Sequence, residues 1–470
     1  MLLAILVIAY IAIMLPIGLY ARKKVSSSSD YVLAGRSLPF YMALATVFAT
    51  WFGSESIIGA GANFAEGGFR AVIEDPFGAG LCLIIAGIFF NRKLYKLNFL
   101  TIGDYYKYRY NTIIATFLSL VIIISYFGWV AAQFLALGLL LSSVVPGLTL
   151  LWATLLSVAV VLGYTFYGGM YSVAILDTIE SVVIIFGLLV VLVYAINKIG
   201  GVDNLIAVTP PNFWNILPEN KDSLTDWIVF VTALMTMGFG SIPQQDIYQR
   251  AMSAKSATIS MWASILGGLL YFTIVMIPLM IAIVARHFYP DVLANDSQQL
   301  VFTLIRDHTP LYVQVLFFGA LVSAIISTAS GALLAPGTLL AENVVKPFFT
   351  KIDDKFRLYI IRLAVIVVAI GSLVLALNPG AKIYELVGAA YSVTLVSAFV
   401  PLAFGLYSKH VNSFGAFVSI ISGIGIWQYL EHMRPDAEIP SIFFGFIASL
   451  VGMILGSIIG RFIVREEKIL

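Results

Sequence analysis

Two short stretches of this 470-residue sequence set oxygen-bearing side chains where apolar ones are expected. The run Trp51-Phe52-Gly53-Ser54-Glu55-Ser56, followed by Gly59 and Gly61, puts one carboxylate and two hydroxyls inside an apolar segment. The run Ala324-Ile325-Ile326-Ser327-Thr328-Ala329-Ser330-Gly331 puts three hydroxyls inside another. Hydroxyls in such helices commonly bond their own backbone or a neighbouring helix. Combined with carbonyls released by a broken helix, they also offer the several oxygens without full charge that a sodium ion prefers. An ionisable group at membrane depth costs about 2.5 to 3.5 kcal/mol on insertion scales, so each needs a partner or a task. Glu55 either borders a solute cavity or caps a broken half-helix, its charge stabilised by exposed amides. Asp177 and Glu180, three apart, share one helical face near a segment end, and Glu180 is expected to be solvated at the interface. His287, His308, His410 and His432 fall in or near loops, so no nucleophile, base and orienter can be assembled and enzymatic activity is not expected. The single Cys82 leaves no disulfide and no thiolate cluster.

These groups must be positioned by membrane helices. Hydrophobic residues make up 60% of the chain and charged residues 11%, against about a quarter in soluble domains, which excludes an ordinary soluble enzyme. Runs long enough to cross a bilayer fall near 1–20, 41–63, 74–91, 113–142, 146–166, 175–197, 226–243, 256–286, 311–342, 358–377, 382–407, 412–430 and 440–463. The expectation is an all-α membrane protein of about 13 transmembrane helices, called spans one to thirteen below. The net charge of +2 and the scatter of basic residues between runs exclude a nucleic-acid partner.

Alternate loops divide the basic residues unevenly. One side holds twenty of the 27, including Arg22, Lys23, Lys24, Arg92, Lys93 and the cluster from Lys346 to Arg362. The other holds Arg70, Lys198, Lys221, Arg286, Arg306, Lys382 and Arg434. Because cytoplasmic loops carry the excess Lys and Arg, the amino terminus is expected outside and the carboxyl terminus in the cytoplasm of a cell-membrane protein. The polar stretches 198–226 and 287–310 are too short for a further domain, and no protein partner is expected beyond the lipid bilayer.

Span two contains the glycine-flanked Glu55 stretch. Span seven contains Met237-Gly238-Phe239-Gly240-Ser241-Ile242-Pro243-Gln244-Gln245, where proline removes a backbone donor and glycines loosen the turn. Both spans are expected to unwind partway across, which a bilayer tolerates only where protein or a watery cavity surrounds the freed backbone. The shared string Phe-Gly-Ser recurs five spans apart, so the two helices run in opposite senses. Broken spans at matching places in two inverted halves point to the solute site of a secondary transporter.

Several of these motifs resemble the sodium:solute symporter family over nearly the whole chain. Tyr31-Val32-Leu33-Ala34-Gly35-Arg36-Ser37-Leu38 resembles its segment after the first helix. Tyr167-Gly168-Gly169-Met170-Tyr171-Ser172-Val173-Ala174 with Asp177 resembles its entry to the sixth, and Gly240-Ser241-Ile242-Pro243 running on to Gln249-Arg250 the end of its seventh. The resemblance implies the five-plus-five inverted-repeat fold of leucine-type transporters: a first helix and loop over 1–40, repeats over 41–197 and 226–407, and two peripheral helices with a short tail over 412–470. It implies sodium-coupled symport of a small polar organic solute by alternating access. It also implies a sodium site at Ala49, Phe52, Ala324, Ser327 and Thr328. Asp177 and Ser330 match a second ion or coupling site that some members have, although Gly331 stands where that site would want another hydroxyl.

Within the family, Thr50-Trp51-Phe52-Gly53, Phe127-Gly128-Trp129 with Ala131-Ala132, and Gly240-Ser241-Ile242-Pro243 look most like the choline-transporter branch. Trp51 and Trp129 match places of its tryptophan cage, while Gln244 replaces a third. Trp51, Ser54, Glu55, Ser56, Trp129, Gln244 and Gln245 are the expected solute-binding residues. A quaternary amine, an amino acid, a sugar and a carboxylate all stay open as the solute. The rival readings are a proton-coupled transporter of the same fold, using Glu55 or Asp177, and a membrane sensor that binds solute without moving it.

Overall fold

The computed structural model describes residues 2–21, 25, 27–349, 353–378 and 380–463. Among them, nine helices are long and apolar enough to cross a membrane, or ten when the pair Leu224–Gly240 and Gln245–Ser253, bent by 53°, is taken as one span. Shorter apolar helices cover Leu2–Met14, Phe40–Trp51 and Leu150–Gly163. Each of the thirteen expected runs falls on helix. The lower number by length arises because the described apolar parts of span one, the first half of span two and span five are each short, while helix continues through two of the expected loops. Glu55–Leu97 is one stretch with a turn at Gly68, whose φ is 69°. Leu150–Ile199 is another, broken at Gly169 with φ 57° and ψ −168°. A Cβ at Gly169 would stand 2.6 Å from the Tyr31 ring and 2.7 Å from the Tyr31 carbonyl, so this corner needs glycine both for conformation and for room. Of the basic residues used for orientation, Arg22, Lys23, Lys24, Lys351, Arg465 and Lys468 lie outside the described residues.

Span nine, Leu311–Leu339, occupies the centre. Within its extended stretch Leu311–Phe348 the apolar window is 72% buried, against 28% for span twelve, Ser413–Met433, so only one of the two presents most of its surface to lipid. Span nine packs on spans four (Thr112–Val144), five and six (Leu150–Ile199) and ten (Asp354–Ala376), and on the first half of span two. The last two helices, Ser413–Met433 and Ser441–Ile463, pack chiefly on each other, with Ser419 and Ser449 hydroxyls 2.8 Å apart and Asn412 Nδ2 donating to Ser457 O at 3.0 Å. Gly415, Gly423, Gly445, Gly452 and Gly456 line this seam, small residues that let two membrane helices approach closely.

Two backbone hydrogen bonds, Leu38 N to Ser253 O at 3.1 Å and Lys255 N to Leu38 O at 2.9 Å, tie the segment before span two to the segment before span eight (Ala257–Phe288). The entry to the first broken helix is thereby clamped to the exit of the second.

Candidate ion and solute site

Span two breaks where its composition predicts. Helix Phe40–Trp51 ends at Phe52, with φ −89° and ψ 71°, and resumes through a wide turn over Glu55–Gly59 into Ala60–Gly67. Gly53 stands in the gap, where a Cβ would lie 2.7 Å from Glu55 Oε2 and 2.8 Å from Thr328 Oγ1. Glycine here lets span nine close on the break. Across this contact Thr328 donates its hydroxyl to Ala49 O at 3.1 Å, with Thr50 O at 3.4 Å. Phe52 and Ala324 are fully buried beside it.

Ser327, one residue earlier, turns its hydroxyl the other way and donates to Asp177 Oδ1 in span six. Of the positions expected to hold sodium, Thr328 and Ala49 are therefore in direct contact, whereas Ser327 joins span nine to Asp177. Asp177, Glu180, Ser327 and Ser330 line a small cavity of about 20 Å³ together with Thr165 and Ser172. Asp177 Oδ2, Glu180 Oε2 and Ser330 Oγ are buried there without a hydrogen-bond partner among the described residues. The expectation that Glu180 is solvated is corrected: it is 1% exposed, because its face of span six turns toward span nine instead of the interface. Gly331, where a second ion site would want a hydroxyl, lies against the Arg250 guanidinium, whose Nε donates to Thr46 O at 3.2 Å. Any side chain at 331 would compete with that guanidinium for space.

The solute-binding positions gather around three rings. Trp51 stacks on Tyr391 with centroids 5.4 Å apart, and Trp129 lies 6.4 Å from Trp51 and 6.0 Å from Tyr391. Glu55 sits at their edge and accepts from Trp129 Nε1 at 3.2 Å, Gln133 Nε2 at 2.8 Å and Ser54 Oγ at 3.4 Å. Ser56 donates to Trp51 O at 2.8 Å and meets Tyr271 OH at 2.7 Å, and Tyr271 in turn donates to Asp75. Among the described residues no Lys, Arg or His forms an ion pair with Glu55 or Asp75; the pairs present are elsewhere, such as Glu342 with Lys346 and Arg357. Two carboxyl groups are thus buried here with neutral hydrogen-bond donors only among the described residues.

The second break repeats the arrangement on the opposite side. After Gly240 the chain turns through 241–244 and resumes at Gln245. Thr394 donates to Gly240 O at 2.6 Å, Gln244 Nε2 donates to Ser125 Oγ at 3.0 Å, and Tyr126 donates to Asp246 Oδ1 at 2.5 Å. So the break in span two is met by span nine, and the break in span seven by spans four and eleven. Gln244 Oε1, Trp51 Nε1 and Tyr391 OH are buried without a hydrogen-bond partner among the described residues. Gln245 goes elsewhere: its Oε1 accepts from Ile102 N at 2.8 Å, in the segment that follows span three.

Gln133, Tyr391, Tyr271, Asp75, Asp246 and Arg250 were not among the expected site residues. Gln133 had a usable signal, a lone amide one helical turn beyond Trp129 in an apolar span. Tyr391 had none, since its meeting with Trp51 depends on how span eleven folds back.

Comparison with known proteins follows the same lines. A sequence profile of the sodium:solute symporter family matches residues 31–423. The chain is 26% identical over 442 residues to the high-affinity choline transporter 1 of Drosophila melanogaster, covering 89% of this chain and 69% of that one. It is 27% identical over 452 residues to the sodium/pantothenate symporter of Haemophilus influenzae, covering 93% and 92%. It is 28% identical over 490 residues to the osmoregulated proline transporter OpuE of Bacillus subtilis, covering 96% and 94%. Among solved structures, a substrate-bound, outward-open Na+-coupled sialic acid symporter superposes with TM-score 0.83 at 20% identity, covering 100% of this chain and 99% of that one. The nucleobase-cation-symport-1 transporter Mhp1, closed with bromovinylhydantoin bound, matches with TM-score 0.61 at 14% identity, over 93% and 96%. The chain belongs to the sodium:solute symporter family: it is a multi-pass membrane protein that moves a small solute by sodium-coupled secondary transport, and not an enzyme.

Proposed function

We propose that the solute is a small amine, a quaternary or protonated ammonium compound or a zwitterion presenting one, held in the box of Trp51, Trp129 and Tyr391 beside Glu55. The observation that carries this reading is the pairing of ring faces with a carboxyl group that has no basic partner among the described residues. Ring quadrupoles attract a cation within about 6 Å of the centroid, and the attraction grows when the site is desolvated. A buried carboxylate with neutral donors alone favours a positive ligand. Gln244, Ser54 and Ser56 add polar contacts for the remainder of the solute, and Gln245, committed to Ile102, belongs to the packing of span seven. The relatives named for choline and for proline both handle amines, whereas the anionic pantothenate of a third would need a cation that Glu55 does not offer.

Sodium binds between the broken second span and span nine, at Ala49, Phe52, Ala324, Ser327 and Thr328, and orders residues 51 to 56 before solute arrives. A ligand shifts the outward-to-inward equilibrium only through its different affinity for the two states, and a contact that joins two moving parts provides that difference. The repeats run over 41–197 and 226–407, with 412–470 peripheral, and the amino terminus lies outside, as the excess of basic residues on the opposite face supports. Asp177 from span six and Ser330 from span nine tune or extend the ion site.

The test is binding to the purified chain of choline, glycine betaine, proline, glucose and pantothenate, each in sodium and in potassium. Amines alone should raise the melting temperature, and only in sodium. Stabilisation by the sugar or the anion without the amines would overturn the assignment.

A further inference from the structure

We infer that Glu55 is shared between the two ligands and is itself part of the sodium site, a carboxylate added to the neutral oxygens of Ala49 and Thr328. This rests on the sodium position proposed above. The geometry centres on Gly53. Glu55 Oε2 and Thr328 Oγ1 lie within 2.7 and 2.8 Å of the same point, the place a Cβ of residue 53 would take, so the two oxygens are no farther apart than those lengths end to end. Thr328 Oγ1 is at the same time 3.1 Å from Ala49 O. A carboxyl oxygen and a hydroxyl thus meet at one buried spot, and that hydroxyl is itself bonded to a backbone carbonyl of the broken span.

The orientation of Glu55 fits a double role. Its Oε1 accepts from Trp129 in the ring box, while Oε2, which faces Gly53 and Thr328, accepts from Gln133. A carboxylate has about four lone-pair sites over its two oxygens, so both oxygens keep acceptor capacity. One anion between a metal cation and an organic cation lowers the mutual repulsion of the two, and this makes binding of each favour the other. The coupling is reciprocal by linkage. Gly53 is required because a methyl group there would separate the two oxygens.

The experiment titrates sodium chloride, at constant ionic strength with potassium chloride, into the purified full-length chain without solute, reading tryptophan fluorescence and melting temperature. Glu55→Gln keeps the volume and the neighbours of the side chain, and is expected to raise the sodium half-saturation by about tenfold or more, with Glu55→Asp between it and the wild type. Gly53→Ala, which leaves the carboxylate in place, is expected to shift it in the same direction. A sodium titration of Glu55→Gln that matches the wild type, while its amine affinity falls, would overturn this role and leave the amine reading standing. Should Glu55→Gln not fold, an unshifted titration in Gly53→Ala overturns it instead. A shifted sodium titration in a chain that binds no amine would support the role while rejecting the amine reading. An unshifted titration in the double variant Ser327→Ala/Thr328→Ala would reject the sodium position on which the inference rests.

Discussion

The Thr328 hydroxyl donates to the Ala49 carbonyl across 3.1 Å, a bond between the centre of span nine and the last turn of helix before the break in span two. Its two ends lie on different spans, so this one contact reports whether span nine and the broken span two are joined. The neighbouring Ser327 faces Asp177 instead. Adjacent hydroxyls therefore serve two interfaces, one with span two and one with span six.

Removing Trp51 should affect the solute and spare the ion. Its ring stacks on Tyr391, and its loss takes away one cation-attracting face, valued at about 0.5 to 2 kcal/mol. Trp51→Ala is expected to raise the apparent KM for the amine by roughly three- to thirtyfold, while the sodium dependence measured without solute stays near the wild-type value. Initial uptake rates in proteoliposomes, paired with a solute-free sodium titration, check this.

Asp177→Asn should weaken the ion site without changing its stoichiometry. The substitution removes the carboxyl acceptor of Ser327, and Gly331, packed against Arg250, leaves no hydroxyl at the position where a second ion site would want one. Sodium activation of uptake is expected to keep a Hill coefficient of about 1 in both proteins, with a higher half-saturation in the variant. A wild-type coefficient near 2 that drops in Asp177→Asn would assign an ion to the Asp177 cavity.

Glycine substitutions should separate crowded positions from open ones. A Cβ at Gly331 meets the Arg250 guanidinium, while nothing lies within 4 Å of one at Gly425. Gly331→Ala is expected to destabilise by about 1 to 3 kcal/mol through overpacking, and Gly425→Ala to be neutral or slightly stabilising. Melting curves in the same detergent distinguish the two.

Orientation is open to labelling, because the one native thiol, Cys82, is fully buried. Asp222→Cys and Lys409→Cys replace exposed loop residues that the proposed topology puts on opposite faces. With the amino terminus outside, a membrane-impermeant maleimide should label position 222 on intact cells, and position 409 only after permeabilisation.

The helices and their interruptions were legible because bilayer thickness and glycine or proline chemistry act locally. Phe52-Gly53-Ser54 and Pro243 mark the breaks without any knowledge of neighbours. Pairings across the bundle were legible only where residue type narrowed the choice. Hydroxyls in span nine suggested an ion site, yet the opposite rotations of Ser327 and Thr328 follow from the helix phase relative to two other spans. Gln245 looked like a site residue beside Gln244, but consecutive side chains at a helix start diverge, and its amide meets Ile102. Glu180 looked like an interfacial carboxylate, and its burial depends on which face of span six meets span nine. Tyr391, Tyr271 and Arg250 are ordinary residues in sequence that acquire roles only through tertiary packing.

The central claim is that sodium is held between the break in span two and the hydroxyls of span nine. Its most direct test is the sodium half-saturation of uptake by Ser327→Ala/Thr328→Ala, with surface expression matched to the wild type. Loss of two oxygens at about 1 kcal/mol each predicts an increase of tenfold or more. A double variant that transports with the wild-type sodium dependence would contradict the account.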